Sequence, residues 1–327
     1  MENKKTVENY TEDRRDEITA QTSALYHSML ENGQYKDLLV KFGQNGKYSL
    51  NNVLFMLTQN PDMTVAKSMN EWTRYGRHIV KDGQNMEVMA PTRSSAPKDT
   101  EADEGGNATE ADTKSKRASE FHPMYVFDIS QTEGDEYKPF AITKDITDEQ
   151  KKTLLDGVYR ALSVKRYKCK FADESEFGEK EYYAIDKENK TVKLRKRMNN
   201  QTTALAAVTA ASKAICDSYK NENFSGLTGA EAERLEAMSR GCILAAHFGS
   251  DTKHFDFTSV AEMDEEKREA FRNNLGIVCA GTKLVMDRIS TAFYKAQQAR
   301  ETASAPEEDV GEPFRPDKSK KSEMEVA

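Results

Sequence analysis

KYSLNNVLFMLTQNPDMTVAKSMNEWTRYGRHIVKDGQNMEVMAP, residues 47–91, is the stretch from which the fold class is read. Ser49 stands where its hydroxyl can cap a helix over the following residues, and Pro61 ends that helix. Asn52 and Gln59 are seven apart and so share one helix face. MTVAK, RHIV and NMEVMAP then read as short strands, with Asp82 and Gly83 supplying a turn. A helix and strands within one short segment make this half α+β.

Upstream, ITAQTSALYHSMLEN sets Ile18, Leu25 and Met29 or Leu30 at helical spacing and meets a capping glycine at Gly33. YKDLLVKF reads as a second helix. Downstream, residues 94–119 hold no aliphatic side chain larger than alanine and no aromatic one. Such a segment cannot bury enough surface to offset its ordering entropy, so a disordered insertion is expected. The strand-like runs VMAP and MYVFDIS flank it, so it should interrupt one sheet rather than separate two domains.

Further on, DITDEQKKTLLDGVYRAL reads as a helix capped by Thr147, and EYYAIDKENKTVKLR as a hairpin turning at residues 187–189. Three helices follow, over residues 200–219, 228–248 and 265 to about 300. In the second of these, Thr228 and Glu231 have the spacing of a capping box and Gly249 closes the helix. The expectation is an α+β chain with an N-terminal α+β domain over 1–146. A mostly helical domain with a small β-hairpin over 147–301 and a disordered tail over 302–327 complete it.

Composition narrows the function classes. The 327 residues favour two domains over one, and 31% charged residues fit a chain with unfolded segments. Cys169, Cys216, Cys242 and Cys279 form no CxxC pair, which argues against a zinc knuckle or a disulfide framework and fits a reduced cytoplasm. No apolar run approaches the roughly 18–20 residues that span a bilayer. The beginning of the chain is charged where a signal peptide turns apolar, so no membrane partner is expected. A net charge of −7 argues against nucleic acid coating the whole surface. Residues 35–93 nevertheless carry eight Lys or Arg against five Asp or Glu, which leaves room for a local basic surface.

The opening stretch resembles the N-terminal domain of the ArdC/LtrC-like antirestriction proteins of bacterial mobile elements. Tyr48, Ser49, Asn52, Leu54, Gln59, Pro61, Thr64, Val65, Trp72, Gly76, Arg77, Val80, Lys81, Gly83 and Pro91 fall in step with that family's pattern. FDISQT, residues 127–132, matches the strand that follows in it. The resemblance covers residues 35–132, with 94–119 as an insertion, and implies binding of single-stranded DNA. Such binding needs cations that track phosphates and flat side chains on which bases stack. Lys47, Arg74, Arg77, Lys81 and Arg93 are candidates for the first, Tyr48, Trp72 and Tyr75 for the second, and Asn52 and Gln59 for polar contacts. Residue type alone leaves Trp72 open as a core residue, the cations as solvated, and the two amides as caps of neighbouring loops.

In the same family a zincin-like metallopeptidase domain follows, and here only its frame is matched. QTTALAAVTAASKAICD, residues 201–217, takes the place of the zinc-binding helix. The resemblance puts its two histidines at Val208 and Ser212, its general base at Thr209 and its third ligand at Met238. Zinc needs nitrogen, sulfur or carboxylate donors, and valine has none. Neither His247 nor His254 makes a shared site, because Gly249 and SDTK between them read as a helix end and loop. No Ser-His-Asp or Cys-His arrangement is evident. The chain is therefore read as a cytoplasmic single-stranded-DNA-binding protein and not an enzyme, with no cofactor, metal or membrane partner. Two other readings stay open: a metallopeptidase with an unorthodox site, and an interaction module binding a protein through the second half.

Overall fold

The structure is a computed structural model that describes residues 11–91 and 121–304. Arg93 and the 94–119 insertion lie outside the described residues, as does the expected tail from residue 305 onward.

Apolar residues at three- and four-residue spacing build the first helices. α1 (Glu12–Glu31) buries Ile18, Thr22, Tyr26, Met29 and Leu30 along one face, and α2 (Tyr35–Gln44) buries Tyr35, Leu38, Leu39, Phe42 and Gly43. Gly33 takes φ 69° between them, and the Gln34 N–H reaches the Met29 carbonyl at 2.7 Å, the closure expected of a capping glycine. α3 (Leu50–Gln59) opens at Ser49, whose hydroxyl accepts from the Asn52 N–H at 3.3 Å.

β1 (Ala66–Lys67), β2 (Arg77–Ile79), β3 (Met86–Pro91), β4 (Phe121–Asp128) and β5 (Thr132–Gly134) follow. α4 (Met69–Arg74), which the sequence reading passed over, stands between β1 and β2. The Glu71 carboxylate secures its start, accepting from Ser68 N–H at 3.2 Å and Ser68 Oγ at 2.8 Å. β4 lies between β1 and β3, antiparallel to both, with Met86 opposite Val126 and Pro91 opposite Phe121. The insertion therefore joins two paired strands, as its flanks implied.

The expected turn at Asp82 and Gly83 forms, with the Gly83 N–H on the Val80 carbonyl at 2.9 Å, and the strands it joins do not pair with each other: β2 pairs with β5, with Ile79 opposite Thr132. The free edge of β3 is already occupied by side chains of α3, described below.

The second half begins with α5 (Asp148–Val164), capped reciprocally by Thr147 and Gln150. β6 (Lys168–Ala172), β7 (Tyr183–Asp186) and β8 (Thr191–Arg195) form a small sheet. The β7–β8 hairpin is the expected one, and β6 adds to β8 in parallel with Cys169 opposite Val192. Tyr167, Cys169 and Phe171 alternating with lysines are the period-two signal for β6.

Four helices complete the chain: α6 (Asn200–Tyr219), α7 (Ala230–His247), α8 (Thr258–Ala261) and α9 (Glu265–Ser304). The expected Thr228–Glu231 capping box does not form. Gly229 is the capping residue, at φ 89°, which moves Thr228 one place outside the helix. Gly249 closes α7 at φ 72°, with Ser250 N–H on the Ala245 carbonyl at 2.8 Å. α6 is buried on nearly every side, including Thr203, Ala207, Val208, Ala211, Ser212 and Cys216, as befits a helix inside a core.

One apolar core runs through both halves, from Tyr26 and Leu39 through Val158 and Ala207 to Ile289. α2 packs directly on α7. The Tyr35 hydroxyl meets Ser239 Oγ at 2.8 Å, and its ring sits edge-on to Phe257 and Phe271. Gly43 permits this approach: a Cβ there would fall on the Ile243 carbonyl and 2.9 Å from Ala246 Cβ. Residue 146 thus lies within a shared core, and the whole chain is the unit on which function is tested. Gly43→Ala is expected to destabilise the protein by about 1–3 kcal/mol through overpacking, read as a lower urea midpoint.

At the same joint His247 donates from Nδ1 to the Gly43 carbonyl at 2.8 Å. Burial holds this imidazole down at about 4; the hydrogen bond pulls it upward, and the Lys67 charge lowers it further. The unfolded chain takes up this proton near pH 6.5 and the folded chain only near 4. This contribution to stability is complete above about 6.5 and is lost as pH falls through that window toward 4. His247→Gln should flatten the pH dependence of the urea midpoint between those values.

Candidate nucleic-acid interface

The opening stretch is organised by side chains that satisfy backbone. An outer strand leaves N–H and C=O groups that need partners. On β3 the amides of α3 supply them. Asn52 donates to the Met89 carbonyl at 2.9 Å and accepts from the Met89 N–H at 2.8 Å. Gln59 does the same to Glu87 at 3.0 and 2.7 Å. Residues seven apart on a helix thereby meet residues two apart on a strand, so α3 acts as a substitute sheet partner. Asn45 and Asp128 work likewise: Asn45 Oδ1 accepts from Ala66 N–H at 2.8 Å, and Asp128 accepts from Thr64 N–H at 2.6 Å and Ser130 N–H at 3.0 Å.

This alters the expected contact set. Trp72 is fully buried and its Nε1 donates to the Phe127 carbonyl at 2.9 Å, so it is a core residue and no stacking platform. Tyr48 is buried as well. Tyr75 is 42% exposed, but its ring packs on Tyr137, and both flank the Lys67 ammonium at 5.3 Å. Burial lowers the pKa of that ammonium. Arg77 is drawn inward, donating to Thr132 Oγ1 and the Thr132 carbonyl at 2.8 Å each, and to the Asp135 carbonyl. Lys47 pairs with Glu71 at 2.7 Å. Arg74 is exposed and lies over the Tyr294 ring of α9 at 5.6 Å. Lys81 is exposed and has no partner among the described residues. Of the residues named for DNA contact, Arg74 and Lys81 face outward without an ion pair among the described residues, Lys47 is exposed but paired with Glu71, and Asn52 and Gln59 serve the fold.

Beside these clamps the surface opens into a cavity of about 260 Å³. Gln59, Asn60, Pro61, Gln84, Asn85, Met86 and Gln131 line it. Gln84 and Asn85 are exposed, and among the described residues their side chains have no partner. The Gln131 Oε1 is buried and without a hydrogen bond. An amide presents a donor and an acceptor side by side, the pattern that a nucleobase edge also carries. Tyr125, 50% exposed, stands across the ladder from Glu87, one residue from the pocket-lining Met86. Sequence reasoning missed Gln84, Asn85, Gln131 and Tyr125. The run QN before a strand and the alternation in MYVFD were the available signals.

In the second half Val208 and Ser212 lie inside the core, Thr209 is half-buried, and Met238 is half-buried and packs against the core. Ser212 Oγ is buried and unpartnered, and a lone hydroxyl beside a valine does not fit a zinc ion. Among the described residues no group of three or more His, Cys, Asp or Glu is placed to hold a metal. Burial pushes the Cys169 and Cys242 thiols up to about 11, away from nucleophilic character. No helix among the described residues is long and apolar enough to cross a membrane.

Fold and surface together describe an α+β protein with a small polar pocket beside a clamped edge strand. Two solved structures are similar to it in overall course, both of the antirestriction ArdC protein from the R388 plasmid. The Mn(II)-bound crystal structure is 11% identical, covers 84% of this chain and 97% of its own, and has a TM-score of 0.39. The metal-free one is 12% identical, covers 86% and 98%, and scores 0.37. No protein-family model and no curated protein matches the chain. At that identity and score no residue role carries over to this chain.

Asn52→Leu removes both bonds to Met89 and strands a backbone N–H and C=O. We expect a loss of about 1–3 kcal/mol in urea unfolding, with oligonucleotide binding falling only as folded protein is lost.

Proposed function

We propose that the chain binds single-stranded DNA, with the amide pocket receiving an unpaired base, and that it does so as a non-catalytic protein. The observation that carries this reading is the buried, unpartnered Gln131 Oε1 in a pocket where two further amides, Gln84 and Asn85, have no partner among the described residues, while Gln59 and Asn60 are engaged by backbone. A base inside a duplex has its Watson–Crick edge engaged, whereas an unpaired base offers the whole edge to such groups. The volume, below the roughly 300–1,000 Å³ of drug-sized sites, suits one planar polar group. Tyr125 offers a flat surface nearby and Lys81 a cation. The sequence resemblance adds the setting: protection of incoming DNA from restriction, or accompaniment of its transfer.

Gln84→Ala and Asn85→Ala, both at exposed positions, should each weaken single-strand binding by about 2–10-fold, the equivalent of one hydrogen bond, with melting temperature unchanged. Equal losses on single strands and duplex, or none, would sink the base-pocket reading. The non-catalytic part is checked by metal analysis of protein grown with added zinc. Substoichiometric zinc after dialysis is expected, and stoichiometric retention would revive the peptidase alternative.

A further inference from the structure

The pocket stands in a region with few free cations, since Arg77 and Lys47 are engaged and Asp62 and Asp82 adjoin it in sequence. The basic surface is elsewhere. Residues 165–197 carry eleven Lys or Arg against seven Asp or Glu, in a chain whose net charge is −7. Of these, Lys165, Arg166, Lys168, Lys187 and Lys190 gather at the end of the β6–β8–β7 sheet where the Lys168 N–H bonds the Lys190 carbonyl at 2.8 Å, whereas Lys193, Arg195 and Lys196 lie farther along β8 and pair with Glu176, Glu174 and Asp173. Arg166, Lys168 and Lys170 are exposed, and among the described residues they have neither an ion pair nor a side-chain hydrogen bond. The Lys165 ammonium lies 3.7 Å from the Tyr219 ring centre and that of Lys190 4.8 Å from Tyr167. Of the nearby acids, Asp186 accepts from Asn189 N–H and Nδ2 and Asp217 takes Lys187 at 2.9 Å and Lys213 at 3.4 Å, while Glu188 is exposed in the turn beside Lys190.

Backbone geometry makes a second, independent point. Among the described residues three non-glycine positions have positive φ, and all three are cations of this segment: Arg166 at 60°, Lys190 at 47° and Arg197 at 58°. Glycine or asparagine takes that conformation at lower cost, so the fold alone gives no reason for a long cationic side chain there.

We infer that this end of the β6–β8–β7 sheet is a phosphate-binding surface for the backbone of single-stranded nucleic acid, separate from the amide pocket. Arg166, Lys168, Lys170 and Lys190 contact phosphates, and the exposed ring of Tyr219, held against Lys165, lies beside them as a stacking surface. An exposed ring beside the cations favours nucleic acid over an acidic protein. The inference rests on the single-strand reading above and assigns its electrostatic part to the second half of the chain.

The test uses the full chain and a labelled mixed-sequence single-stranded oligonucleotide titrated across salt concentrations. Arg166→Gly and Lys190→Gly remove charge while relieving the positive-φ strain, so the double variant should fold at least as well as the parent. Its slope of log K against log salt should fall by about 1.4, roughly 0.7 for each lost phosphate contact. Gln84→Ala should leave the slope unchanged. If the double variant keeps the parent's affinity and slope while Gln84→Ala weakens binding, this surface is refuted and the pocket stands. If the parent binds no single strand at all, the reading beneath it fails too. Loss of polyglutamate binding in the double variant, with oligonucleotide binding untouched, would overturn the inference in favour of an acidic protein partner.

Discussion

The need to pair the backbone groups of an edge strand is the constraint on which the N-terminal half depends. β3 has β4 on one side only, and Asn52 and Gln59 of α3 complete the other. A helix has no free backbone donors along its length, so it can border a strand edge in this way only through side chains carrying a donor and an acceptor together. Once the two amides are in place, β2 cannot pair with β3. It pairs with β5 instead, with Arg77 bonded to Thr132 across that ladder. The most distinctive text in the chain is thus largely a set of instructions for closing a small sheet.

That assignment separates residues that build the site from residues that can contact a ligand. Trp72, Arg77, Asn52 and Gln59 have the chemistry of DNA contacts and are occupied by protein carbonyls and N–H groups. Gln84, Asn85 and Gln131 occupy less conspicuous places and, among the described residues, retain unengaged amide groups. A pocket of neutral amides discriminates among polar edges and attracts phosphate weakly, whereas lysines and arginines attract phosphate and discriminate little. In the proposed reading, recognition and electrostatic attraction therefore fall to different parts of the surface, joined through the α2–α7 seat into one core.

The alanine-dense helix α6 has a physical role whatever occupies the surface. Small side chains let α7 and α9 approach it closely, and Thr203, Val208, Ala211 and Cys216 are buried within it. Donor atoms for a metal would have to be desolvated there. The present residues avoid most of that cost, although the Ser212 hydroxyl is buried there, one turn from the Cys216 thiol.

Local patterns in the sequence determined most elements: Ser49 and Thr147 as caps, Gly33 and Gly249 as helix ends, the β7–β8 hairpin, and α6 to the residue. They did so because capping, periodicity and positive φ are properties of a few adjacent residues. Pairings across the chain were not legible. That β2 joins β5, that β6 joins β8 in parallel, and that Gly43 seats α2 on α7 depend on which groups meet in space. The same holds for the site. Sequence could nominate residue types able to touch DNA, but whether an amide or guanidinium is free is decided by the backbone groups beside it, and only the tertiary structure places those.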